Sequence, residues 1–103
     1  AIGNAALYAN TTGAKNTALG SQALGANTTG GRNTALGYEA LKADTKGDVS
    51  VAIGTGALKT QNFTSATDAY NVAVGFDAGT AVATKPSTQT PPHPTTLPLV
   101  LVL

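Results

Sequence analysis

The chain has 103 residues, enough for one modest domain, and carries 12 Gly, 5 Pro and neither Cys, Met nor Trp. Charged residues make up 11%, against roughly 25% in an ordinary soluble domain, and the net charge is +1. That balance gives no electrostatic basis for binding nucleic acid or an anionic membrane, and without Cys there is no disulfide or thiolate metal site. No stretch approaches the ~20 apolar residues of a membrane-spanning helix.

The first element is the triplet Ala1-Ile2-Gly3. It returns as Ala18-Leu19-Gly20, Ala35-Leu36-Gly37, Ala52-Ile53-Gly54 and Ala73-Val74-Gly75, at spacings of 17, 17, 17 and 21. Because the chain opens inside this phrase, it reads as processed or as a piece of something longer. A second marker, Ala-Leu, begins five residues after each triplet begins: Ala6-Leu7, Ala23-Leu24, Ala40-Leu41 and Ala57-Leu58, becoming Ala78-Gly79 in the last. A third, the turn phrase Asn10-Thr11-Thr12-Gly13, recurs as Asn27-Thr28-Thr29-Gly30 and, weakened, as Asp44-Thr45-Lys46-Gly47. A four-residue insertion within Gln61 to Ala69 accounts for the spacing of 21.

Seventeen residues are too few for a helical-pair repeat or a propeller blade, which need roughly 33 and 40. They suit two short strands and two turns. The alternation of Val51 and Ile53 against Ala52 is that of a strand, and Asn-Thr-Thr-Gly is turn chemistry that disfavours helix. The expected fold is all-β: a parallel β-roll, or β-solenoid, of about five 17-residue coils over residues 1–84, stacked ~4.8 Å apart. Stacking sets Ile2, Leu19, Leu36, Ile53 and Val74 in one apolar ladder and Leu7, Leu24, Leu41 and Leu58 in a second. Ala1, Ala18, Ala35, Ala52 and Ala73 form a third, on the opposite face of the first strand. A solvent-facing row is ordinarily polar, so a row of Ala predicts close packing against another surface. A roll this thin and poor in aromatic residues needs partners for stability, so oligomerisation is expected.

The phrases "SVAIGTGAL" (50–58) and "NVAVGFDAG" (71–79) resemble the repeats of YadA-like trimeric autotransporter adhesin heads, and "NTALGxxAL…NTTG" resembles repeats in phage tail-fibre proteins. The resemblance covers residues 1–84. It implies a left-handed roll, three chains side by side, and adhesion or display at a cell or virion surface, with itself (a homotrimer) and a host-surface or glycan receptor as partners. The 17-residue coils here are longer than the commonest coil of adhesin heads.

From Lys85 the language changes. Residues 85–96 form a Pro/Thr-rich linker, and 97–103 an apolar segment, Leu97-Pro98-Leu99-Val100-Leu101-Val102-Leu103. One reading is an unstructured tail or a segment severed from a following domain. The other is a strand, Leu99, Val100, Leu101 and Val102, that docks on the exposed edge of a neighbouring subunit.

Catalytic chemistry is sparse. His93 stands between prolines in the linker, and Ser21, Ser50, Ser65 and Ser87 have no base in the pattern. Asp44 and Asp48 could touch a cation, but calcium wants six to eight oxygens. Gly54-Thr55-Gly56 lacks the Lys and the context of a phosphate loop. Asn10, Asn27 and Asn62 begin Asn-x-Thr sequons that read more economically as turn residues. A threonine ladder for ice binding is broken, since its column runs Thr17, Thr34, Val51, Val72. Tyr8, Tyr38, Phe63, Tyr70 and Phe76 are candidate exposed aromatics. Tyr38 and Phe76 share the position after the Gly, where edge packing between coils competes with stacking on a sugar. Phe63, in the insertion, is the expected partner-contacting residue. No cofactor and no metal are expected. The expected role is a non-enzymatic structural or adhesive module, extracellular at a cell or virion surface; the alternative is a subunit of a self-assembling extracellular filament, stacked head to tail and joined through the C-terminal segment.

Overall fold

The computed structural model describes residues 1–80 and the backbone of Leu99–Val102; residues 81–98, which hold the linker 85–96 with Ser87 and His93, and Leu103 lie outside the described residues. Among the described residues there are seven short strands: β1 (Thr17–Leu19), β2 (Thr34–Leu36), β3 (Gly47–Asp48), β4 (Val51–Ile53), β5 (Thr67–Asp68), β6 (Asn71–Val74) and β7 (Leu99–Val102). Among the described residues there is no helix. The fold is all-β and its strand pairs are parallel.

A five-stranded sheet runs in the order β1-β2-β4-β6-β7, and β3 and β5 form a second sheet of two. The register follows the repeat. Ala18 faces Ala35, Ala35 faces Ala52 and Ala52 faces Ala73, while Thr17, Thr34, Val51 and Val72 align in the same way. Ile2 bridges Leu19 in parallel. Outside the strands the backbone continues the same ladder: Leu7 N donates to Ala23 O at 3.0 Å, Leu24 N to Ala40 O at 3.0 Å and Leu41 N to Ala57 O at 2.9 Å. Identical groups meet at each level, so the turns as well as the strands satisfy their amides on the next repeat.

The sharp changes of direction come from residues in the left-handed region. Gln22 (φ 64°), Leu24 (52°) and Arg32 (60°) take it in one repeat, and Glu39 (60°), Leu41 (52°) and Val49 (59°) in the next. Each such L-residue costs roughly 1–2 kcal/mol. At the leucine position burial offsets that strain, since Leu24, Leu41 and Leu58 are fully covered. The glycine closing each triplet has no such choice. Gly37 sits at φ +134°, and a Cβ on it would lie 2.6 Å from the Gly54 carbonyl carbon and oxygen.

The interior corrects one expectation. The alanines of the triplets do not face another surface: Ala35, Ala52 and Ala73 are fully buried and Ala18 nearly so, packed with Ala23, Ala40, Ala57, Ala78 and the leucine column. Strand alternation therefore turns the other row outward, and Ile2, Leu19 and Leu36 are exposed while Ile53 and Val74 are partly covered. The leucine ladder is core, with Leu7 packed partly buried at its margin.

Two polar columns complete the interior. Asn16 Oδ1 accepts from Asn33 N at 2.9 Å, and Asn33 Oδ1 from Ser50 N at 2.8 Å; their amides donate to Gly30 O and Gly47 O, both at 2.8 Å. The second column is Asn10, Asn27, Asp44 and Gln61. Asn27 Nδ2 donates to Asn10 Oδ1 at 2.9 Å, and Gln61 Nε2 to Asp44 Oδ2 at 2.7 Å. Asn27 is fully buried, so the folded chain does not present it as a glycosylation acceptor. The insertion lies after Phe63: Lys46 N still donates to Phe63 O, 17 residues on, whereas Val49 and Tyr70, 21 apart, share the left-handed position.

Candidate interaction surface

The outward side of the five-stranded sheet is the most distinctive surface. Three columns make it up. The central one is Ile2, Leu19, Leu36, Ile53 and Val74; Thr17, Thr34, Val51 and Val72 flank it on one side. On the other, after the triplet glycine, stand Asn4, Ser21, Tyr38, Thr55 and Phe76. Asn4 O, Ser21 O, Tyr38 O and Thr55 O accept in turn from Gln22 N, Glu39 N, Gly56 N and Asp77 N, which fixes the column. Ile2 is 69% exposed, Phe76 71% and Tyr38 49%.

Among the described residues the three columns carry no charged side chain. Of six basic and five acidic residues only Lys85 lies outside the described residues, and none of the other ten belongs to the three columns. A row of aliphatic side chains one strand spacing apart, flanked by Thr, Val and two aromatics and free of charge, is a surface that water solvates poorly. Its two aromatics, Tyr38 and Phe76, share one repeat position, and both are exposed. Tyr8 and Tyr70 are exposed as well, on other columns.

Phe63 behaves differently. It is only 8% exposed, so the expected partner-contacting aromatic is instead covered by its own chain. Its N–H donates to Asp44 Oδ1 at 2.8 Å and its carbonyl accepts from Thr45 Oγ1 at 2.9 Å, which draw the ring inward. The exposed part of the insertion is Thr64, Ser65 and Ala66. Leu99–Val102 pairs in parallel with β6 of the same chain, Val72 with Val100 and Val74 with Val102.

The charged groups gather on other columns. Glu39 receives Lys42 Nζ and Lys59 Nζ, each at 2.9 Å. Hydrogen bonds from Lys59 and then Lys42 hold its carboxyl down to about 2, and the same carboxylate raises the Lys59 ammonium. The repeat contains the signal for this triad, since Lys42 and Lys59 are 17 apart and Glu39 is three residues before Lys42. An open groove floored by Ala26 and Ala43 runs beside it, and its two lysines already share one carboxylate. Arg32 and Asp68, 36 residues apart, meet at 3.5 Å, both well exposed.

Asp44 and Asp48 are turned to backbone. Asp44, fully buried, accepts from Phe63 N at 2.8 Å, Gln61 Nε2 at 2.7 Å and Gly47 N at 3.2 Å, and Asp48 Oδ1 accepts from Gly31 N. Among the described residues no group of three or more His, Cys, Asp or Glu is placed to hold a metal ion. Ser50 is fully buried beside Gln61 Nε2 at 3.1 Å, a structural partner. No helix among the described residues is long and apolar enough to cross a membrane.

Compared with protein-family models, curated proteins and solved structures, the chain finds no match.

Proposed function

We propose that the chain is a left-handed β-roll of five 17-residue coils, associated as a trimer through the charge-free side of its five-stranded sheet. In this reading it is a non-enzymatic structural module of a surface adhesin or virion fibre, working outside the cell and displaying its turns and insertion to a receptor. The observation that carries the reading is the outward column Ile2, Leu19, Leu36, Ile53 and Val74 with no charged neighbour in the flanking columns. Side-by-side packing would bury this column on each chain and leave Arg32, Lys42, Lys59 and Asp68 at the periphery, the distribution that interfaces favour. The closed symmetry of a trimer covers the same patch on every copy. The resemblance of the repeated phrases to trimeric adhesin heads supports the same arrangement.

The second reading, a head-to-tail filament, draws on the in-register repeat, which would allow growth along the stacking direction. Against it, β7 already occupies the β6 edge. Light scattering coupled to size exclusion tests the pair: a trimer has three times the 10.1 kDa of one chain. Leu36→Lys places an ammonium in the centre of the shared face without touching the interior. It is expected to give single chains with an unchanged circular dichroism spectrum. Wild-type protein that stays at one chain's mass at high micromolar concentration would refute the trimer.

A further inference from the structure

A parallel sheet built by adding one equivalent strand after another has margins that are templates for more of the same. Each repeat offers its neighbour a fixed set of groups: Gly20 N donates to Ile2 O at 2.8 Å, Gly37 N to Leu19 O at 2.7 Å, Gly54 N to Leu36 O at 2.7 Å and Gly75 N to Ile53 O at 2.8 Å. At β6 this series would end on an unpaired margin, and an unpaired margin recruits strands from other molecules. The structure shows what sits there. β7 continues the register: Asn71 faces Leu99, Val72 Val100, Ala73 Leu101 and Val74 Val102. It is out of step with the repeat, its residues 28 beyond their partners in β6 where every earlier step of this sheet is 17 or 21. Its sequence, Leu-Val-Leu-Val, is strongly strand-forming and carries no Ala-apolar-Gly triplet to continue the repeat.

We propose that β7 is an edge guard: it seals the β6 margin of the five-stranded sheet, which would otherwise accept a strand from a second copy of the chain. The occupant it displaces is a second copy because the margin is specified by the repeat itself. In-register pairing of like on like is how every strand of this sheet from β1 to β6 finds its partner, and another copy presents strands with the same spacing of donors and acceptors. Such pairing is heterologous and does not close on itself, so it leads to open-ended association rather than to a defined oligomer. Guarding acts along the stacking direction, perpendicular to the side-by-side contact proposed above, and the two are independent.

The test uses the full chain with one backbone group altered. Gly75 N donates back to the preceding strand; alternation puts Ala73 N on the same side, and the register puts Leu101 N toward β6. Leu101→Pro removes that donor, whereas Leu101→Ala keeps it. In light scattering over a concentration series, wild type and Leu101→Ala are expected to hold a constant mass. Leu101→Pro is expected to lose that plateau, with mass rising steadily with concentration and with elongated particles in electron micrographs. A synthetic peptide of residues 97–103, added in trans, should restore the plateau. Leu101→Pro that keeps the wild-type mass overturns the proposal. So does Leu101→Pro that loses amide-exchange protection in β1, β2 and β4, because β7 would then hold the fold together rather than guard an edge.

Discussion

The buried carboxylate of Asp44 should leave a measurable signature in how stability varies with pH. Asp44 occupies the third place in the column Asn10, Asn27, Asp44, Gln61, and its side chain is fully covered. Burial pushes its carboxyl above the ordinary 3.8, and the nearby Asp48 charge pushes the same way. Hydrogen bonds from Phe63 N, Gln61 Nε2 and Gly47 N oppose the shift without overcoming it.

The sign follows from linkage. Below 3.8 the group is protonated whether the chain is folded or not, and its full contribution is present. As pH rises past 3.8 the unfolded chain releases the proton while the folded chain keeps it. Stability then falls, by at most about 1.4 kcal/mol per pH unit for one proton, until the folded group also ionises. Glu39 acts in the opposite sense. Its carboxyl is held at about 2 instead of 4.5, so its contribution is present above 4.5 and lost as pH falls toward 2. Glu39 therefore makes stability rise with pH up to 4.5, and Asp44 makes it fall above 3.8 until the folded carboxyl ionises. Asp44→Asn removes the titrating group, and chemical denaturation at fixed protein concentration and ionic strength should show that decline flattened. The slope is the observable, because the new amide also obliges Gln61 to turn its own amide, which blurs the absolute change. If Asp44→Asn retains the wild-type decline above pH 3.8, the buried-acid reasoning is wrong.

Leu41→Ala should lower unfolding free energy by about 2–5 kcal/mol, since Leu41 is fully buried, whereas Leu19→Ala, 42% exposed, should change a single chain by less than ~1 kcal/mol; thermal melts of the two compare them directly. Ala52→Leu should cost ~1–3 kcal/mol or more by overpacking the interior, and an unaffected melting temperature would return the alanine row to the outer surface. Gly37→Ala combines a left-handed φ with a Cβ 2.6 Å from the Gly54 carbonyl, and a loss of at least ~3 kcal/mol is expected by circular dichroism.

Much of the candidate surface was legible as a set of columns. The period of 17 named which residues would align, and Tyr38 and Phe76 did fall on one outward column. Phe63 was illegible because its burial depends on Asp44 and Thr45, one repeat earlier, catching its backbone. The β6–β7 pairing was hidden for a related reason. An apolar run such as Leu99–Val102 announces a strand, but nothing local says whether its partner edge belongs to the same molecule.

By itself the sequence determined the repeat, the parallel alignment of like residues and the alternation of sides within each strand. Its period of two fixes that Ala52 opposes Val51 and Ile53, yet alternation alone is symmetric between inside and outside. The tertiary structure broke that symmetry. Turns bent at left-handed residues such as Gln22 and Leu24 carry the leucine column in behind the strands. With those leucines filling the space, only Ala fits on the inner side, and the larger Ile, Leu and Val residues are left to face outward.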